Sequence, residues 1–79
     1  MNLKLRLYFP EELVREPVLA RLAQQFPVEP NIRRLSIESD DTGRVVCELI
    51  GEAAALDAAL AWLRETGVRV ELIGDVVES

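Results

Sequence analysis

The order in which two repeat lengths follow one another along this chain limits its fold more than any other feature. Apolar residues recur at every second position, then at helical spacing, then in two more period-two stretches, then at helical spacing again, and last at every second position. A strand turns successive side chains to opposite faces, whereas a helix gathers positions three and four apart onto one stripe, so each change of period marks a new element. From Leu3 to Phe9, the residues Leu3, Leu5, Leu7 and Phe9 alternate with Lys4, Arg6 and Tyr8, which describes a half-buried strand. Pro10 closes it. Glu11 to Arg15 lead into Glu16-Pro17, and proline suits the first position of a helix, because the N–H it lacks would have no partner there. The helix runs from about Pro17 to Phe26 on Val18, Leu19, Leu22, Ala23 and Phe26, with Val14 packing just before it, and Pro27 stops it.

The stretch Phe26 to Ile32 holds two prolines and turns the chain into a second strand that starts near Asn31 or Ile32, where Leu35 and Ile37 alternate with Arg34, Ser36 and Glu38. Ser39 to Gly43 form a polar hairpin loop, with Gly43 expected to supply a positive φ. A third strand runs from Arg44 to Ile50, with Val45, Cys47 and Leu49 on one face. Alanine-rich residues from about Glu52 to Thr66 form a second helix on Leu56, Ala59, Leu60 and Leu63, and Gly67 ends it. Val68 to Ile73 make the fourth strand, and Gly74 to Ser79 read as a polar tail. The resulting βαββαβ order is an α+β, ferredoxin-like arrangement. Right-handed crossovers give an antiparallel sheet of order 4-1-3-2 with both helices on one face.

The other face is left bare. It is expected to carry Lys4, Arg6, Tyr8, Ile32, Arg34, Ser36, Glu38, Arg44, Val46, Glu48, Ile50, Arg69, Glu71 and Ile73. Such a face is either wet and charge-paired or a partner surface, and Ile32, Val46, Ile50 and Ile73 are more apolar than a wet face needs.

With 79 residues the chain is one domain, and a unit this small buries only about 60% of the surface its unfolded chain exposes. Small domains need reinforcement. Cys47 is the only cysteine and there is no histidine, which leaves neither an internal disulfide nor a zinc site of the usual ligands, so a homo-oligomer is the expected support and no cofactor is expected. The net charge of −5 argues against a phosphate backbone as partner, and Arg33-Arg34 is the only adjacent basic pair. The sequence shows no bilayer-spanning run and no secretion signal, so no membrane insertion and a cytoplasmic location are expected.

Nothing points to catalysis, since no histidine can serve as a general base and the paired acids Glu11-Glu12 and Asp40-Asp41 fall in loops. Cys47 reads as a small core hydrophobe and Trp62 as core or edge packing. The turn from Phe26 to Ile32 offers a candidate pocket. Asn31 there carries an amide with two donors and an acceptor, able either to grip the ends of an amino acid or to bond its own turn.

Arg15-Glu16-Pro17-Val18, Leu22-Ala23, Phe26, Asn31-Ile32, Glu48 to Gly51, Ala58 to Arg64, and Gly67-Val68 leading to Val70-Glu71-Leu72 together resemble the NIL domain, a regulatory domain of the ATPase subunits of methionine-import ABC transporters that also occurs alone. The resemblance implies a ferredoxin-like fold, pairing into dimers, and methionine binding in which the asparagine matched by Asn31 takes part. By that resemblance the ligand-binding set is Asn31, Ile32, Arg33 and Leu35, with Ile32 and Leu35 forming apolar surroundings. Arg33 stands where the family's Asn-Ile-Leu has an apolar residue, and the hairpin is shorter than in the transporter versions. Two functions follow as expectations: a homodimeric sensor of a sulfur-containing amino acid, or an adaptor in sulfur metabolism that has lost its ligand and docks a protein through the bare sheet or an edge strand.

Overall fold

Eight residue pairs join the first strand to the third, Asn2 to Ile50 through Phe9 to Gly43, and this antiparallel ladder is the spine of the molecule. The computed structural model describes residues 1–76, in the order β1 (Asn2–Phe9), α1 (Glu11–Val14), α2 (Val18–Gln25), β2 (Glu29–Ile37), β3 (Gly43–Ile50), α3 (Ala53–Thr66) and β4 (Arg69–Val76). The sheet order is β2-β3-β1-β4, with every neighbour antiparallel, which is the expected 4-1-3-2 read from the other edge.

Alternation in the two central strands sends Leu5, Leu7 and Phe9 of β1 and Val45, Cys47 and Leu49 of β3 toward the helices. They meet Val18 and Leu22 of α2 and Leu56, Ala59, Leu60 and Leu63 of α3 in one core. Phe26 and Trp62 close its end edge-to-face, with ring centroids 6.1 Å apart, so Trp62 is packing.

The helix boundaries follow from local chemistry. Pro17 has φ −79° and ψ 61°, an inverse γ-turn in which the Val18 N–H donates to the Glu16 carbonyl at 2.8 Å, so this proline precedes the helix instead of occupying its first turn. Phe26 is extended, at φ −129° and ψ 146°, as a residue before proline should be. Gly67 caps α3 at φ 110°, where a side chain would be strained. A Cβ on Gly51 would lie 3.1 Å from the Pro27 carbonyl oxygen, so glycine lets the end of β3 pass close beneath the Phe26–Ile32 turn.

Four further expectations change. Glu11–Val14 form a helical turn of their own, too short for periodicity to reveal. β2 begins at Glu29, earlier than the prolines suggested. In the hairpin it is Asp41, not Gly43, that takes the positive φ of 67°, while the Asp40 carboxylate accepts from the Thr42 hydroxyl at 2.7 Å and from its N–H at 3.2 Å. Those bonds hold the Asp40 pKa below its ordinary value. Last, β4 continues through Gly74 to Val76 across a bulge opposite Lys4 and Leu5, and the rest of the expected tail, residues 77–79, lies outside the described residues.

Cys47 is fully buried, and desolvation, followed by the neighbouring Glu48 charge, pushes its thiol up to about 11. Two outcomes are expected. Leu5→Ala, at a fully buried position, should cost roughly 2–5 kcal/mol by chemical denaturation. Stability should be indifferent to Cys47 below its ordinary value of 9.0 and should fall as pH rises toward 11, because the unfolded chain ionises first; Cys47→Ala should remove that part of the alkaline slope.

Candidate functional site

β2 is an edge strand, and its register decides what each of its faces offers. Glu29 pairs with Ile50, Pro30 with Leu49, Asn31 with Glu48 and Ile32 with Cys47; then the ladder shifts, and Arg34 pairs with Val46, Leu35 with Val45, Ser36 with Arg44 and Ile37 with Gly43. Arg33 is thus the extra residue of a β-bulge. Ile32 and Leu35, three apart, would lie on opposite faces of a regular strand, yet both sit opposite inward residues and face the helix side. Ile32 is therefore not on the bare face, where simple alternation put it. The bulge reverses the parity.

The four residues singled out from the sequence divide accordingly. Asn31 belongs to the bare face, and the Arg33 side chain turns to that face as well, bonding Glu48. Ile32 and Leu35 lie on the helix side. Together with Ile37 they remain 56%, 62% and 56% exposed respectively, because the helices cover the central strands and leave this margin open. Across from them stand Val14, Pro17, Val18 and Leu19, and the space between is an open, mainly apolar groove of about 230 Å³. Glu16 stands at its mouth, 3.1 Å from Arg21. The groove thus presents an apolar lining with one carboxylate, that of Glu16, in its wall.

The bare face is bound together by charge pairs. Arg33 donates from Nε to Glu48 Oε1 at 2.9 Å and from Nη2 to the same oxygen. Arg6 Nη1 lies 2.6 Å from Glu71 Oε1, which raises the Arg6 pKa, and Tyr8 donates weakly to that oxygen at 3.4 Å. The Arg69 guanidinium stacks 4.2 Å from the Tyr8 ring centroid, and Arg44 lies 3.8 Å from Glu38. Exposed pairs like these contribute little to stability. Glu48 differs, being 8% exposed and the one buried charged residue among those described.

Lys4, Arg33, Val46, Glu48 and Ile73 outline a second, shallow hollow on this face. A larger hollow beside α1 is lined mostly by acids, Glu11, Glu12, Glu16 and Asp41, with Arg15 among them. Among the described residues, no three acidic or cysteine side chains gather as a metal ion would require, and no helix is long and apolar enough to cross a membrane. Sequence reasoning missed Glu16 as a groove residue and Glu48 as an ion-pair partner. Glu16 could have been found from its place just before a helix flanked by apolar residues. The Arg33–Glu48 pair, fifteen residues apart, becomes visible only with the register.

Comparison with known proteins agrees with this architecture. The chain is 38% identical over 77 residues to the methionine import ATP-binding protein MetN of Escherichia coli K12, and equally to that of Shigella flexneri; each match covers 91% of this chain and 22% of the relative. It thus spans about a fifth of the length of these relatives. The C-terminal domain of an ABC transporter ATP-binding protein from Enterococcus faecalis superposes with a TM-score of 0.76 at 27% identity, covering 94% of this chain and 86% of that one. The NIL domain model matches residues 3–72. With nearly its whole length matched, the chain belongs to the NIL domain family.

Proposed function

We propose that the domain is a regulatory sensor, without catalysis of its own, for a sulfur-containing amino acid, methionine first, and that it acts as a homodimer along the free edge of β2. The observation that carries this reading is the open groove over Ile32 and Leu35, which matches a thioether side chain in size and polarity. Its similarity to the methionine import ATP-binding protein MetN supports methionine as the ligand class. Glu16 receives the ammonium end. Asn31 lies on the opposite face of the same strand, so if it takes part in binding a groove ligand it does so from a second chain across this edge, which is why we read the site as shared between two copies.

A second reading rests on Arg33. Its guanidinium is committed to Glu48 on the bare face, and an adaptor that docks a protein on that face or along the edge would use the ordered surface this creates.

Titration calorimetry separates the two. Methionine should give saturable heat, norleucine a similar but weaker response, and Leu35→Ala and Asn31→Ala should each weaken binding by about tenfold, equivalent to about 1.4 kcal/mol. Absence of heat at millimolar methionine with folded protein would overturn the sensor reading. Sedimentation should find a dimer at micromolar concentration, and monomer alone would remove the shared site.

A further inference from the structure

We infer that the Arg33–Glu48 pair is a register clasp: it holds the bulge in β2 and thereby keeps Ile32 and Leu35 on the same face, making Arg33 a positioning residue for the groove. This rests on the groove being the ligand site proposed above, though the clasp itself can be tested without a ligand.

The pairing leaves only two regular alternatives. If the bulge were smoothed out with Ile32 still opposite Cys47, Leu35 would move opposite Arg44 and turn to the bare face. If Leu35 stayed opposite Val45, Ile32 would move opposite Glu48 and turn away instead. Either way the groove loses one of its two central residues, because a one-residue slip inverts every side chain beyond it. A bulge leaves one residue outside the ladder, so something must favour it over the regular strand. Arg33 is that extra residue, and its side chain delivers two hydrogen bonds to the same oxygen of Glu48. Glu48 is almost wholly buried, while Arg33 is largely exposed. Removing the cation would take away the two hydrogen bonds that favour the bulge and leave the buried carboxylate only Lys4, its neighbour across β1, as a counter-charge. The apolar floor on one face is therefore fixed by an ion pair on the other.

Nuclear Overhauser contacts report the register directly. The native protein should show both the Ile32–Cys47 and the Leu35–Val45 cross-strand contacts. Arg33→Met, which keeps length and removes charge, should lose one of them, and Arg33→Lys should retain both. Glu48→Gln carries the same expectation as Arg33→Met and decides the matter should that variant fail to fold. If the bulged form drops to about a tenth of the population, apparent methionine affinity should fall about tenfold in step. Retention of both contacts in Arg33→Met or Glu48→Gln would overturn the clasp. Should the native protein bind no methionine, the sensor reading fails and the contacts alone still judge the clasp.

Discussion

One apolar layer between a sheet and two helices holds this domain together, and everything else is arranged around its limited extent. Leu5, Leu7, Cys47 and Leu49 from the central strands meet Val18, Leu22, Leu56 and Leu63 with almost no exposed area. Two helices of eight and fourteen residues cover only so much sheet. The central strands are sealed, while Ile32, Leu35, Ile37 and Leu72 on the edge strands face the same side and stay half open. The groove beside β2 is thus the margin of the core, where apolar side chains continue past the end of the helices that would cover them.

Much of this was legible because period is robust where one face is buried. Leu3 to Phe9 and Val45 to Leu49 announced themselves by strict alternation, and the stripe from Leu56 to Leu63 by helical spacing. The sheet order then followed from handedness. The candidate site was half legible. Asn31, Ile32, Arg33 and Leu35 do lie together on one strand beside an open edge, but alternation cannot reveal an inserted residue, and Arg33 inverts the faces of its neighbours. The cue is a carboxylate on the adjacent strand, and a pair separated by fifteen positions has no local pattern. The turn at Glu11–Val14 and the extension of β4 beyond Ile73 escaped for a similar reason: each depends on what the backbone packs or pairs against.

The two faces of β2 divide the chemistry of the strand. The helix side supplies apolar area with one acid at the rim; the bare side supplies an amide and a set of closed ion pairs. Apolar contact sets how strongly such a site holds a ligand, and fixed polar groups set which ligand it accepts. A strand with a free edge can combine the two through a neighbouring chain.

That free edge also bears on solubility. An uncovered strand with unsatisfied backbone groups is a template for open-ended stacking, and natural sheets guard such edges with charge and with bulges that twist them out of line. Arg33 and Arg34 place both devices in the middle of β2, at the step where a flat run of backbone would otherwise be longest. The same irregularity that shapes the groove thus also guards the edge of the sheet against open-ended stacking.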